Sequence, residues 1–340
     1  MAKTFFIFCF TGISAVFIIS AVFMPNQGQS SSSTFEPQPW SWTSQQFKQS
    51  DVPCDLPNPP AIFSPDDTAN PEHAYLLMSA SHLAYRFWPG RREKILQRWG
   101  FRNFKTFDNR TTSTNGFWAE HNSFVLLVFR GTQEPKDLMT DLNVELTALP
   151  SDWHDHGRNS GRVHRGFLTA AQSVKQNALD AADLAQNSGK PLILAGHSLG
   201  GAVALLTAFY LEHKNFKIHS VWNFGSPKIG DSRFLQTVED ELTARWHRII
   251  QPNDPIPMLP FSKNDQAALQ SFALQFGKHI PLLHRFAENA EYEGVNDENN
   301  PNSALLKLAT ASLKDVAKGM IEHLPRSYLC HLSQNQLPLE

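Results

Sequence analysis

The stretch PLILAGHSLGGAVALL, residues 191–206, contains an apolar run, a glycine-rich turn and a second apolar run. The first run is typical of a short buried strand, and the residues after the turn predict a helix over 202–213. Ser198 lies in the turn, with one glycine two positions before it and another two positions after it. Side chains at those two positions would collide with the strand and the helix. The pattern therefore places the Ser198 hydroxyl at the amino end of a helix, where a developing negative charge is favoured.

Strands and helices alternate along most of the remaining chain. Apolar, β-rich runs predict buried strands at 123–130, 191–195, 217–224 and 246–251. Helices are predicted at 71–87, 167–186, 202–213 and 231–242. Such alternation predicts an α/β fold, in which a mainly parallel sheet carries helices on both faces.

Composition excludes several classes of protein. Of the 340 residues, 41% are hydrophobic and 18% are charged. The chain therefore has enough apolar side chains to form a large core. A net charge of -2 supplies no field that would attract nucleic acid. The three cysteines form no CxxC pair, so neither a zinc site nor a redox site is expected. The segment DWHDH, residues 152–156, offers carboxylates and imidazoles, but a solvated loop is favoured because no further ligands have metal-site spacing.

The amino-terminal region predicts a location outside the cytoplasm. Residues 5–24 carry no charge and are long enough, as a helix, to cross a bilayer. Residues 1–24 are therefore predicted to be a signal anchor or a cleaved signal peptide, oriented by Lys3. Residues 25–65 contain eight of the 22 prolines and predict a tether. Residues 66–340 are predicted to form one α/β domain.

A serine nucleophile requires a base and a carboxylate that orients the base. On a strand-turn-helix of this kind the order along the chain is serine, acid, histidine. Asp254 follows the predicted strand 246–251 directly, at the carboxyl end where such an acid belongs. The histidines that follow it are His279, His284, His323 and His331. His323 lies near a bend before Pro325, from which it could reach Ser198, and His284 and His331 remain alternatives.

Several motifs occur together in one order: FRGT at 129–132, HRGF at 164–167, GHSLGG at 196–201 and FGSPKIGD at 224–231. In this combination the chain resembles the class 3 lipase family, which includes the fungal triacylglycerol lipases and has the α/β-hydrolase fold. The resemblance implies that Asp254 is the acid and that His323, within EHLPRSY, is the base. It also implies an oxyanion hole formed by Thr132 and by the backbone N–H of Leu199, next after the nucleophile.

The resemblance implies hydrolysis of carboxylic esters of lipids through an acyl-enzyme, at a lipid interface, with no cofactor and no metal. A phospholipase and a feruloyl-type esterase share the scaffold and remain alternatives. A lipase-like interaction protein without catalysis is the alternative from a different class, although it would have no reason to keep Ser198, Asp254 and His323 together. Oligomeric state cannot be read from the sequence.

Cys54 and Cys330 are the two cysteines outside the apolar segment. On the oxidising side of a membrane they are predicted to form a disulfide, with two free thiols as the alternative. Some fungal members of the family similarly tie their two ends together.

Residues 133–150 follow the predicted oxyanion strand, where the lipases that this chain resembles carry a mobile helix over the nucleophile. Leu138, Leu142, Leu146 and Leu149 are spaced by four, four and three residues, which predicts one apolar stripe on a helix. A stripe that covers the site in one state and faces lipid in another would act as a lid. An ordinary amphipathic helix on the core has the same pattern.

A lid predicts a selective effect of polar substitutions. Leu138→Ser should reduce the rate on emulsified long-chain esters much more than on dissolved short-chain esters, because only the former need an apolar open state. The measurement is the ratio of the rate on emulsified long-chain esters, above their solubility limit, to the rate on dissolved short-chain esters, below theirs. Equal losses on both substrates, with a lower Tm, would show that the leucine is ordinary core.

Overall fold

The computed structural model describes residues 71–85, 90–132, 145–153, 159–242, 244–251, 254–259 and 319–333. All of them belong to one compact unit, Ser41–Glu340. The predicted segments 1–24 and 25–65 lie outside the described residues, and the proposed domain boundaries remain a prediction. In the part of the chain that is described, no helix is long and apolar enough to cross a membrane.

A mixed sheet forms the centre of the fold. Its strands are β1 (Arg102–Asn109), β2 (Thr114–Glu120), β3 (Val125–Phe129), β6 (Leu192–His197), β7 (Ile218–Phe224) and β8 (Trp246–Ile249), and β4 (Leu146–Ala148) pairs separately with β5 (Arg162–His164). The sheet order is β1-β2-β3-β6-β7-β8. Strands β3, β6, β7 and β8 are parallel, whereas β2 is antiparallel to both of its neighbours. Five of these six strands therefore run in one direction.

Helices cover both faces of this sheet, as the sequence predicts. They are α1 (Pro71–Ala84), α2 (Arg91–Arg98), α3 (Arg165–Ser173), α4 (Lys175–Ser188), α5 (Leu199–Glu212), α6 (Ser232–Leu242) and α7 (Pro325–Ser333). Side chains alternate along each strand, so Leu127 and Leu194 pack under α3 to α6. Leu126 and Ile193 point the other way and pack under α1 and α7.

Strand register brings the candidate residues to one edge of the sheet. Phe129 of β3 pairs with Gly196 of β6, and His197 pairs with Phe224 of β7. Phe224 in turn pairs with Ile249 of β8. Because parallel strands end at the same edge, the segments that follow β3, β6, β7 and β8 meet there. These segments carry Thr132, Ser198, Gly225 and Asp254.

Two features of the fold differ from the sequence prediction. The helix expected over 167–186 is two helices, because the chain turns at Val174 between α3 and α4. The hairpin of β1 and β2 was not predicted, since β1 has the sequence RNFKTFDN and exposes most of its side chains. A strand that buries few apolar residues lacks the alternation by which strands are detected.

The leucine stripe over 133–150 does not continue as one helix. Residues 133–144, with Leu138 and Leu142, lie outside the described residues. Leu146, however, lies in strand β4 and pairs with His164 of β5. Leu149 follows that strand and is buried in the core. The helical prediction for the second half of the stripe is therefore wrong, because pairing with β5 determines the conformation there.

His164 is a fully buried histidine at the start of α3. Its Nδ1 accepts a hydrogen bond from the Phe167 N–H at 3.3 Å and so caps the helix, and its ring stacks on the Phe167 ring at 4.1 Å between centroids. Burial lowers the pKa of His164 from 6.5 to about 4. His164 is therefore mainly neutral in the folded protein above pH 4, and fully so near pH 7.

This shift predicts that acid destabilises the fold. Between pH 6.5 and 4 the unfolded chain binds a proton at His164 that the folded chain does not bind, so the free energy of unfolding falls as pH decreases through that window. His164→Asn keeps a capping oxygen but does not titrate. It should reduce the slope of the free energy of unfolding against pH by up to about 1.4 kcal/mol per pH unit. Urea unfolding at several pH values measures this slope for the wild type and the variant, and equal slopes would contradict the prediction.

Candidate active site

Ser198 occupies a strained turn between β6 and α5. Its backbone has φ 59° and ψ -132°, a conformation that residues other than glycine rarely adopt. The Ser198 N–H donates to the Phe224 carbonyl at 2.8 Å, and the Ser198 carbonyl accepts from the Gly201 N–H at 2.9 Å. Backbone hydrogen bonds on both sides therefore hold the strained residue. This is the strand-turn-helix that the sequence predicts.

Glycines allow the turn to close against neighbouring backbone. A Cβ atom on Gly196 would collide with the Gly200 carbonyl group, across the turn. A Cβ atom on Gly200 would collide with the Phe129 carbonyl and would lie 2.8 Å from the Arg130 carbonyl carbon. Gly196 is thus needed for the close contact across the turn, and Gly200 for the direct contact between the turn and the end of β3.

Asp254 lies after β8 and is buried, with three hydrogen-bond donors on its carboxylate. Oδ1 accepts from the Ile256 N–H at 2.9 Å. Oδ2 accepts from His323 Nδ1 and from the Tyr328 hydroxyl, each at 2.7 Å. A buried carboxylate is costly unless its oxygens are paired, and these three donors supply the pairing.

His323 lies in the turn between a helical segment, 319–322, and α7, which begins at Pro325. Proline is favoured at the first position of a helix, where its missing N–H is not needed. The His323 N–H donates to the Gly319 carbonyl at 3.0 Å. The predicted bend is present, and it presents the His323 ring to Asp254. The structure brings these two predicted residues into direct contact.

The alternative bases differ in position. His331 lies on α7 and its Nε2 is 3.3 Å from Glu322 Oε2, with 35% of its side chain exposed. His279 and His284 lie outside the described residues. Among the candidates whose positions are described, His323 is therefore the one that contacts Asp254.

Tyr328 is a site residue whose contact the sequence reasoning missed. Its hydroxyl donates to Asp254 and accepts from the Gln251 N–H at 3.2 Å. Burial, followed by the negative charge of Asp254, raises the pKa of Tyr328 well above 10. The tyrosine therefore remains a neutral donor. Its place five positions after His323, within the family motif, was the available signal.

The two predicted oxyanion donors flank Ser198. Leu199 is the first residue of α5, and the first N–H groups of a helix have no partner within it. Thr132 follows Gly131 at the end of β3, where a Cβ on Gly131 would lie 2.9 Å from the Ser198 Cβ. The segment that carries Thr132 therefore lies directly against the serine. The roles of both residues as donors remain a prediction.

Two other sequence hypotheses concern cysteine and metal. Cys330 is disulfide-bonded. Its partner lies outside the described residues, so the pairing with Cys54 remains a prediction. Asp152 of the segment 152–156 bonds to Lys175 Nζ at 3.2 Å, and His154, Asp155 and His156 are outside the described residues. Within the ranges described, no group of three ligating side chains could hold a metal ion.

Comparison with known proteins identifies related sequences. Residues 126–264 match the family model described as lipase (class 3). The secreted mono- and diacylglycerol lipase 1 of Fusarium solani is 39% identical over 101 residues, which are 29% of this chain and 29% of that protein. The secreted mono- and diacylglycerol lipase A of Penicillium cyclopium is 30% identical over 160 residues, 45% of this chain and 49% of that protein. The chain thus spans half or less of the length of these relatives.

The solved structure of the Lip2 lipase of Yarrowia lipolytica matches with a TM-score of 0.49 and 20% identity over 56% of this chain and 73% of that chain. The sheet order and the two helical layers described above confirm the predicted α/β fold with a mainly parallel sheet. The match over residues 126–264 confirms the resemblance to the class 3 lipase family that the sequence motifs predicted.

Proposed function

We propose that this chain hydrolyses carboxylic esters of lipids through an acyl-enzyme, with Ser198 as nucleophile, His323 as base and Asp254 as the acid that orients it. The observation that carries the proposal is the position of the buried His323–Asp254 pair. The two groups are 2.7 Å apart, and the His323 ring lies 4.7 Å, between centroids, from the ring of His197, the residue immediately before Ser198. The acid–histidine pair therefore lies close to the residue that precedes the strained serine.

The hydrogen bond to Asp254 determines which nitrogen of His323 acts as the base. A carboxylate only accepts, so Nδ1 carries the proton and Nε2 keeps its lone pair. In the acylation step Nε2 takes the proton of the Ser198 hydroxyl while Oγ forms a bond to the ester carbonyl carbon. The negative charge moves to the carbonyl oxygen, which the Leu199 N–H and Thr132 are proposed to bind.

The intermediate then collapses. The bond between the carbonyl carbon and the alcohol oxygen breaks, and the His323 imidazolium returns its proton to the leaving alkoxide. Water attacks the acyl-enzyme in the second half of the reaction, with Nε2 again taking the proton and Ser198 regaining it. Asp254 faces the imidazolium in both halves, and Tyr328 holds the carboxylate in place.

Burial of the site supports a role at a lipid surface. Ser198 is 2% exposed, and the His323 side chain is 4% exposed. Because so little of Ser198 and His323 is exposed, we propose that side chains around the site move aside before an ester reaches the nucleophile. Opening in contact with lipid, where apolar side chains lose their exposure to water, is the process we propose.

The proposed substrates are acylglycerols, and the proposed location is outside the cytoplasm. Relatives named secreted mono- and diacylglycerol lipases support both, and the uncharged segment 5–24 supports the location. The experiment that tests the substrate class compares tri-, di- and monoacylglycerols with phospholipids and feruloyl esters under one condition. Preference for phospholipid or feruloyl ester would replace the acylglycerol assignment. A native protein that neither hydrolyses any ester nor reacts with a fluorophosphonate would be the interaction protein instead.

Removing either end of the proton path should abolish turnover. We expect Ser198→Ala and His323→Ala each to lower kcat on a soluble p-nitrophenyl ester by about 10⁴ or more, because the residues act as a unit. His331→Ala is the matched control and should retain activity within about twofold, since its half-buried side chain contacts Glu322 and not Asp254. Near-normal turnover in His323→Ala, with loss in His331→Ala, would assign the base to His331.

Tyr328→Phe should weaken the site without removing a reacting group. The substitution leaves Asp254 Oδ2 with one donor fewer and the Gln251 N–H without its acceptor. We expect a loss of stability of about 1–3 kcal/mol, the cost of unsatisfied buried groups, and a decrease in kcat with little change in KM. Thermal unfolding and steady-state kinetics measure the two effects. Unchanged stability and kcat would show that the tyrosine hydroxyl does not support the acid.

A further inference from the structure

His197 connects the two sides of the proposed site through hydrogen bonds. Its Nδ1 is 2.8 Å from the Tyr85 hydroxyl oxygen, at the end of α1. Its Nε2 is 2.8 Å from the backbone carbonyl oxygen of His323. The same Tyr85 hydroxyl packs against Gly131, where an added Cβ atom would collide with it. A chain of contacts therefore runs from the segment of the predicted oxyanion donor Thr132, through Tyr85 and His197, to the backbone of the proposed base.

The direction of each bond follows from the partners. A carbonyl oxygen only accepts, so His197 Nε2 carries the proton and donates a hydrogen bond to the backbone carbonyl oxygen of His323. His197 Nδ1 is then the acceptor in the neutral ring, and the Tyr85 hydroxyl must donate to it. The two bonds of His197 thus have one donor and one acceptor each, and they fix its tautomer from both ends.

Burial keeps both side chains of this chain neutral. His197 is 1% exposed, and burial, followed by the positive charge of His323, lowers its pKa well below 6.5. Burial also raises the pKa of Tyr85. Protonation of His197 would place a second positive charge 4.7 Å, ring to ring, from the His323 imidazolium that forms during turnover. The neutral ring avoids that repulsion and can still donate to the His323 carbonyl.

We propose that Tyr85 and His197 are positioning residues for the reaction, which hold the backbone of His323 in register with the Gly131–Thr132 segment. The inference rests on the proposed function, because it assigns His323 as the base. His323 is anchored at its ring by Asp254 and at its carbonyl by His197. Two anchors on opposite ends of one residue limit how far its Nε2 can move from Ser198. Displacements of about 1 Å in such sites can cost 10²-fold in rate.

Five variants separate a positioning role from a structural one. Tyr85→Phe removes the hydroxyl and keeps the ring, and His197→Phe keeps a ring without either hydrogen bond. His197→Gln offers an acceptor and a donor with nearly the same separation as the imidazole nitrogens. The double variant Tyr85→Phe/His197→Phe tests whether the two residues act through one path. Tyr210→Phe is the matched control, since Tyr210 is a buried tyrosine about three turns along α5 from Ser198.

Three quantities are measured for each purified full-length variant: kcat and KM on a soluble p-nitrophenyl ester, the second-order rate of labelling by a fluorophosphonate, and Tm. Labelling reports the reactivity of the serine without reference to any lipid substrate. We expect kcat and the labelling rate to fall together, by about 10²-fold in His197→Phe and about 10-fold in Tyr85→Phe, with KM within about twofold of wild type. His197→Gln should recover to within about fivefold of wild type.

The double variant should be no slower than His197→Phe alone, because Tyr85 acts through His197. Wild-type rates in His197→Phe, or multiplicative losses in the double variant, would overturn the proposal. If His197→Phe does not fold, Tyr85→Phe decides: a loss of rate beyond that of Tyr210→Phe at equal Tm supports positioning, and equal rates refute it. Failure of the wild-type protein to label would overturn the proposed function together with this inference, whereas a labelled wild type with unaffected variants refutes the inference alone.

Discussion

The fold around the site depends on a direct contact between backbones at the end of β3 and in the turn after β6. No side chain lies between Gly200 and the Phe129 carbonyl, and none fits between Gly196 and the Gly200 carbonyl. The contact keeps the turn short, and this sharp turn holds Ser198 at a positive φ. The strain at Ser198 is retained because hydrogen bonds to Phe224 and Gly201 fix its backbone.

A second constraint joins distant parts of the chain. Asp254 and His323 are 69 positions apart, and Tyr328 is five positions further along. Taking the Asp254 carboxylate out of water is favourable only while its donors are present, so the segment 319–333 must remain docked on the sheet. His197 reinforces that docking from the other side of the His323 residue. Stability and the proposed chemistry therefore depend on the same few hydrogen bonds.

Local sequence was sufficient for the parts of the site that one strand, turn and helix define. The turn at Ser198 and the helix after it were predicted from glycine spacing and apolar periodicity, and the structure has both. Asp254 was predicted at the carboxyl end of a strand, and it follows β8 there. The helices on both faces also follow from periodicity. Each of these features is encoded within a few residues, so neighbouring side chains alone determine it.

Only the tertiary structure decided which distant groups meet. Four histidines follow Asp254, and contact with the carboxylate distinguishes His323 from His331, which pairs with Glu322 instead. The leucine spacing over 133–150 fits a helix, yet strand pairing makes Leu146 part of β4. The hydrogen bonds by which His197 joins Tyr85 to His323 likewise connect three segments that no local pattern relates. The sequence by itself determined the turn that holds Ser198. The hydrogen-bond partners of the residues around Ser198 were decided only by the packing of distant segments, because local patterns do not relate residues that lie far apart in the chain.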